Sequence, residues 1–412
     1  MKTPIYLDHH ATTPVDPRVL EVMLPYFDQD FGNASSRTHA FGWKAEEAVT
    51  RARLQVARAI GADAKEIVFT SGATESNNLA LLGAFEANRH RGDHIISSVT
   101  EHPAVLDALQ HLERCGAHVT RLGVDRHGLV DPDDVRRAMT EQTILVSLMS
   151  ANNEIGTIHP IREIGAICTE RGVLFHTDAA QAVGKIPMKV TEMGIHLMSI
   201  SAHKVYGPKG AGALYVRRRN PRVRLEPVQH GGGHERGLRP GTLNVPGVVG
   251  LGKALDISVA GMLAESARLG DLRDKLEQGI RGRVEAVTVN GHPTNRLPHS
   301  LNLSFAYVEG ESLVMALDDI AVSSGSACSS ERREPSHVLR AMGVSDELAQ
   351  TSIRFGLGRS NTVEEIDYAI GRVVEVVARL REISPLYEAA RGRSGVETVR
   401  PDAPDSRRMT IS

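Results

Sequence analysis

Two hydrophobic periods alternate along the chain. Ile67-Val68-Phe69, Ile95-Ile96, Ile144 to Met149, Val173-Leu174-Phe175, Leu197 to Ile200 and Ala213 to Val216 are short apolar runs. Runs of this length bounded by polar or glycine residues read as buried strands. Between them lie stretches with helical spacing. Ala45, Ala48, Val49, Ala52, Val56, Ala59 and Ile60 share one face, and Gly61 stops the helix. Ile161 to Arg171 predicts another helix, lying between two of the strands. Thr362 to Glu365 has the pattern of a capping box, followed by a stripe of Val363, Ile366, Ile370, Val373, Val377 and Leu380. Strands separated by single helices imply right-handed crossovers and a mainly parallel sheet, an α/β fold.

The flanking segments extend the picture. Residues 4–8 read as a short strand, Arg18 to Phe27 as a helix, and Phe31 to Gly42 as a polar loop. Residues 217–246 form a glycine-rich connection (Gly231-Gly232-Gly233-His234-Glu235-Arg236-Gly237), a length that is usually functional or interface-forming. A long helical region from Val245 to Arg283 joins two units. In the second unit Val287-Thr288-Val289 and Ser300 to Phe305 read as strands. The pattern dissolves past Ser384-Pro385. The expected organisation is a large domain over 15–255, a smaller α/β domain made of 1–14 and 256–390, and a mobile tail over 391–412.

Composition narrows the function classes. The 412 residues are enough for two domains with a large core. Lys plus Arg (48) nearly balance Asp plus Glu (50), which gives no electrostatic argument for nucleic acid or an anionic membrane. No run of 18 apolar residues occurs, so no membrane span is expected. The first residues lack the apolar run of a secretory leader, and a cytoplasmic location is the expectation. Cys115, Cys168 and Cys328 are far apart, which suggests neither a disulfide framework nor a metal site. Cys115 and Cys168 fall inside helical patterns and read as packing residues.

The chemistry gathers at strand ends. Lys204 follows the strand Leu197 to Ile200 and precedes Gly207-Pro208-Lys209-Gly210. Burial lowers the pKa of a lysine there, and a neutral amine can form a Schiff base with an aldehyde. Asp178 closes the strand Val173 to Thr177. An amine and a strand-end carboxylate are two parts that pyridoxal phosphate needs, the second to keep its ring nitrogen protonated. The strand Glu66 to Phe69, the turn Thr70-Ser71-Gly72 and the helix that follows offer backbone N–H groups suited to a phosphate. His102, Asn153, Asp178 and Lys204 all follow strands, where ligands gather in parallel sheets. Cys328 lies on a small-residue loop, Ser323 to Ser330, with Arg332 and Arg333 close by; it reads as a nucleophile or as a tolerated surface thiol. Arg354, inside an apolar strand-like run, must be paired, either by a substrate carboxylate or by a structural salt bridge.

Six motifs in order carry a resemblance over almost the whole chain: Tyr6 to Pro14, Thr70 to Asn78, His176 to Gln181, Ser201 to Lys204, Arg239 to Thr242, and Ser323 to Cys328. They resemble the NifS/IscS-type cysteine desulfurases. The resemblance implies fold type I of the pyridoxal-phosphate enzymes, a homodimer, and conversion of L-cysteine to L-alanine with sulfur held as a persulfide. It implies Lys204 as the Schiff-base lysine, Asp178 as the pyridinium partner, His102 as the ring-stacking proton-transfer residue and Gln181 as the partner of the phenolate oxygen. Asn153 then contacts cofactor and substrate, and Ala73, Thr74, Ser201 and His203 cradle the phosphate, with Thr242 reaching it from the other subunit. Cys328 resembles the persulfide carrier and Arg354 the carboxylate anchor. The serine-rich cysteine loop is similar to the branch that hands sulfur to iron–sulfur scaffolds or other acceptors. A selenocysteine lyase would share every motif. A class V aminotransferase would share Lys204 and Asp178 without a use for Cys328, and a non-catalytic partner subunit would be expected to lose Lys204 or Cys328.

Overall fold

The computed structural model describes residues 3–324 and 335–394; the side chains of 391–394, the segment containing Cys328 and the tail beyond Ser394 lie outside that description. Thirteen strands in three sheets make up the β-structure of the described residues. In chain order they are β1 (Ile5–Tyr6), β2 (Ile67–Thr70), β3 (His94–Ser98), β4 (His118–Leu122), β5 (Thr143–Ser147), β6 (Leu174–Asp178), β7 (Leu197–Ser201), β8 (Gly212–Val216), β9 (Val287–Asn290), β10 (Ser300–Phe305), β11 (Ile320–Ala321), β12 (Ser323–Ser324) and β13 (Ser352–Gly356). The main sheet has seven strands in the order β2-β8-β7-β6-β5-β3-β4, and only β8 runs antiparallel to its neighbours.

Alternation along these strands explains the continuous apolar runs. Ile67, Phe69, Ile96, Val146, Phe175, Met198, Ile200, Ala213 and Tyr215 belong to one core. Their neighbours Val68, Ile95, Leu145, Leu174, Leu197, Leu214 and Val216 belong to a second core on the opposite face. A sheet covered by helices on both faces has no solvated side, so its strands lose the polar half of the period. The helix Ala40–Ile60 buries the expected Ala45, Ala48, Val49, Ala52 and Val56 stripe, and Gly61 ends it in the left-handed region at φ 70°.

The helix Val245–Arg281 connects the two units. Val245, Val248, Leu251 and Leu255 pack in the large core, whereas Leu269, Leu272, Leu276 and Ile280 pack in the core of the smaller sheet. By length and composition alone this helix could cross a membrane, but those residues are enclosed by protein. The smaller sheet runs β12-β13-β10-β9. β1 pairs with β11, and Ile5 and Leu7 join the smaller core. The chain therefore starts at the smaller unit and enters the large one through residues 9–16, which run past the site.

Three expectations change. The helix expected over Arg18–Phe27 is two, Pro17–Met23 and Pro25–Asp28, because Pro25 has no N–H to continue the first. Cys115 is exposed, not packed. The helix carrying the buried stripe Val105, Ala108, Leu109 and Leu112 ends at Arg114, so Cys115 falls on its C-cap. The pattern does not dissolve at Ser384-Pro385: a separate helix runs from Pro385 to Ser394, so residues 391–394 are helical. Residues 395–412 lie outside the described residues.

Candidate functional site

A cavity of about 620 Å³ opens at the carboxyl ends of β2, β3, β5, β6 and β7. One wall is the turn from β2 into the helix Ala73–Asn88. Gly72 stands at the N-cap with φ 155° and ψ −177°, a conformation open to glycine and strained for residues with a Cβ. The first N–H groups of a helix have no intrahelical acceptor, and the dipole there favours an anion. Gly212 keeps this turn close to the sheet: a Cβ on it would lie 2.5 Å from Gly72 Cα. Ala73, Thr74, Ser201 and His203 line the cavity around this turn. Burial and the positive charge of Lys204 push the His203 imidazole down to about 4.

Asp178 lines the same cavity, at the last position of β6 and 7% exposed. Its Oδ2 accepts 2.7 Å from Asn77 Nδ2, and its Oδ1 accepts 2.9 Å from the Ala180 N–H. Two donors hold the carboxylate at a fixed angle. His102 caps the helix Pro103–Arg114: its Nδ1 accepts from the Ala104 N–H at 3.1 Å. A neutral imidazole that accepts at Nδ1 carries its proton on Nε2. Burial, before any charge nearby, lowers the His102 pKa and favours that neutral form.

Lys204 stands in the single turn Ala202–Lys204 that follows β7. Its Nζ donates to the carbonyl of His10 and, at 2.9 Å, to that of Ala11. Gln181 Nε2 donates to the same His10 carbonyl at 3.0 Å. The N-terminal segment thus supplies carbonyl oxygens that aim the lysine and the glutamine.

The remaining wall belongs to the smaller sheet. Arg354, from the buried strand β13, reaches the cavity with its Nη1 donating 3.0 Å to the Asn153 carbonyl. Its Nη2 donates to Asp8 Oδ1 at 2.9 Å and to Ser323 Oγ at 3.2 Å. Nε is buried with no protein acceptor. Of the two pairings weighed from the sequence, the structural one is present as a salt bridge to Asp8, and the guanidinium also lines the cavity.

Of the expected residues, His102, Ala73, Thr74, Asn153, Asp178, Gln181, Ser201, His203, Lys204 and Arg354 line this one cavity. Thr242 is exposed and lies outside the cavity of its own chain. Cys328 lies outside the described residues. Among the described residues on either side of it, Ser323 lines the cavity, and His337 Nε2 is 3.0 Å from the Glu101 carbonyl. The sequence reading missed Asn77, His10 and Ala11. Asn77 was findable, since it sits five residues past Gly72 on a helix face aimed at the sheet. The two backbone carbonyls left no side-chain signal. Nor did it find what secures the glycine-rich connection: Glu235 pairs with Arg53 at 2.6 Å and accepts the Phe69 N–H at 2.8 Å, while Arg239 pairs with Glu75 at 3.0 Å.

Comparison with known proteins converges on one family. The model of the family described as aminotransferase class-V matches residues 5–369. The chain is 60% identical over 388 residues to a cysteine desulfurase IscS of Anaeromyxobacter dehalogenans (strain 2CP-C), covering 94% of this chain and 96% of that protein. Among solved structures it is similar to a NifS-like protein, with a TM-score of 0.85 and 38% identity over 91% of this chain and 100% of that one. It is also similar to SspA in complex with cysteine, with a TM-score of 0.76 and 38% identity over 86% and 98% of the two chains.

Proposed function

Because the chain belongs to the class-V aminotransferase family and is a pyridoxal 5'-phosphate-dependent cysteine desulfurase within it, we propose that the cavity around Lys204 is its active site, with roles as follows. The observation that carries this is the convergence of an amine, a doubly held carboxylate, an uncapped helix N-terminus and a buried guanidinium on one 620 Å³ space. The donor set fits the cofactor. Lys204 offers the amine that holds its aldehyde, Asp178 the carboxylate for its ring nitrogen, and the Gly72–Thr74 turn with Ser201 and His203 the cradle for its phosphate. Gln181, with one Nε2 hydrogen given to His10, has a second to donate to the phenolate oxygen. When bound, the cofactor supplies an electron sink for the pair left at the substrate Cα.

The chain does the rest. Arg354 and Asn153 orient L-cysteine by its carboxylate, and Lys204 takes the Cα proton. His102 presents its Nε2 proton to the same space. The sulfur step falls to Cys328, only four residues past Ser324. Its thiolate forms an S–S bond to the substrate sulfur as the substrate Cβ–S bond breaks. The electron pair stays with the carbon fragment, which takes up one proton at Cβ, regains at Cα the proton that Lys204 removed, and leaves as L-alanine, and Cys328 is left as a persulfide. That sulfur passes to an iron–sulfur scaffold protein or another acceptor, in the cytoplasm, with neither nucleic acid nor membrane as partner.

The active form is a homodimer in this reading. Thr242 is exposed away from its own cavity, free to complete a neighbour's. Leu24, Phe27, Phe31 and Trp43 are each more than half exposed, an apolar surface that a second copy would cover. The test is mass spectrometry under non-reducing conditions after adding L-cysteine. Sulfur is expected on Cys328 with one alanine per sulfur, and Cys328→Ser should bind cofactor and cysteine but release no sulfur. Sulfur on Cys115 or Cys168, or full turnover by Cys328→Ser, defeats the assignment.

A further inference from the structure

A second lysine stands behind the first. Lys185 Nζ lies 3.4 Å from Gln181 Oε1 and 3.1 Å from His299 Nε2. At its other end the Gln181 amide gives one Nε2 hydrogen to the His10 carbonyl at 3.0 Å. A glutamine amide has two ends of nearly equal shape and opposite hydrogen-bonding sense. Turned over, Gln181 would set its oxygen against the His10 carbonyl and its NH₂ against the Lys185 donor, losing both bonds. The His10 carbonyl and the Lys185 donor together fix which end is which, Lys185 holding the oxygen. The unspent N–H is left for the cavity that Gln181 lines.

His299 fixes Lys185 in turn. Its ring stacks on His10, with centroids 4.5 Å apart and planes 16° from parallel. Burial holds the His299 imidazole well below its usual pKa, so it is neutral and Nε2 can accept from the lysine. The charged and titratable groups around Lys185 are Lys204, Glu265, His9, His10, His203 and His299. Burial first, and then repulsion from Lys204, bring the Lys185 amine down to about 7. An amine near neutrality donates hydrogen bonds without setting a second full positive charge beside Lys204.

We propose that Lys185 is a positioning residue: it holds the Gln181 amide with its donor end toward the phenolate oxygen of the cofactor. This rests on the reading of Gln181 given above. It predicts that Lys185 acts on the cofactor only through Gln181, which a double-mutant cycle tests.

The cycle uses the full-length protein stripped of cofactor and titrated with pyridoxal 5'-phosphate, free ligand being measured after ultrafiltration. Lys185→Met keeps the length of the side chain and removes the donor. It is expected to weaken binding about three- to ten-fold, the worth of one hydrogen bond. Gln181→Ala should weaken binding at least as much. Adding Lys185→Met to Gln181→Ala should cost nothing further. If Lys185→Met does not yield folded protein, Lys185→Leu takes its place in the same cycle. An equal loss from the lysine substitution in both backgrounds, or no loss in the wild-type background, overturns the proposal while leaving Gln181 as a cofactor contact. Wild-type affinity in Gln181→Ala overturns both readings.

Discussion

Replacing Arg354 by glutamine separates a substrate anchor from a structural ion pair. Arg354 is 6% exposed and gives three hydrogen bonds, to the Asn153 carbonyl, Asp8 and Ser323, with Nε unspent. Two losses follow from Arg354→Gln. Asp8, whose side chain is 17% exposed, is left without its cation. Breaking a fully buried pair costs about 3–5 kcal/mol, and the remaining exposure of Asp8 brings this toward about 2 kcal/mol. The second loss concerns only a substrate with a carboxylate. A charge-assisted bond is worth about 1.5–3 kcal/mol. Allowing one to two such bonds, less the competition from Asp8, gives about 2–4 kcal/mol, or a fall of about 30- to 900-fold in kcat/KM for L-cysteine. The assay pairs L-cysteine with cysteamine, which lacks the carboxylate. Discrimination between them should collapse in Arg354→Gln. Adding Asp8→Asn should restore stability to denaturant without restoring discrimination. If Arg354→Gln loses L-cysteine and cysteamine activity by the same factor, Arg354 is a structural residue and the anchor assignment is wrong.

Further outcomes are expected. Lys204→Ala should lose the visible absorbance of the bound cofactor, and borohydride should fix the cofactor to wild type at this residue; a peptide map with the label elsewhere refutes it. Asp178→Asn should fold and bind cofactor, yet lose orders of magnitude in kcat, because a neutral amide cannot hold the ring nitrogen protonated; a near wild-type rate contradicts this. Sedimentation should find the active species to be a dimer, and an active monomer at low concentration would rule that out. Acid should destabilise the fold through its buried histidines. Burial lowers His159 and His196 to about 4, below the usual 6.5, so the unfolded chain binds more protons between those values. Stability then rises with pH across about 4 to 6.5, by up to about 1.4 kcal/mol per pH unit for each, and levels off above. Denaturant curves that are flat from pH 6.5 to 4.5 would contradict the sign.

Much of this site was legible because its side chains sit where the chain changes period. Strand ends announce themselves as apolar runs that stop, and His102, Asp178 and Lys204 each stand just past or on such a stop. The two-faced burial of the main sheet was legible for a related reason, since Ile67-Val68-Phe69 leaves no polar position for solvent. Arg354 was conspicuous as a charge inside β13, although its partner was not.

What the sequence determined by itself was therefore most strands of the main sheet, their parallel α/β arrangement and the chemical types brought to the strand ends; β11 and β12, the latter read as part of the cysteine loop, were too short, and β12 too polar, to announce themselves. Tertiary structure alone decided which groups meet. Asp8 and Arg354 are 346 residues apart in sequence, and Asn77 and Asp178 are 101 apart, yet each pair is within hydrogen-bonding distance. No local pattern encodes such a pairing: the first depends on how the N-terminal segment docks beside β11 and β13, and the second on how the helix Ala73–Asn88 packs on the main sheet. The docking of the N-terminal segment also brings the carbonyls of His10 and Ala11 to Lys204, and backbone carbonyls are common to every residue. Cys115 shows the converse. Helical spacing put it on a buried face, but the helix ended one residue earlier, and an end set by the hydrogen bonds of a single turn decides exposure where periodicity cannot.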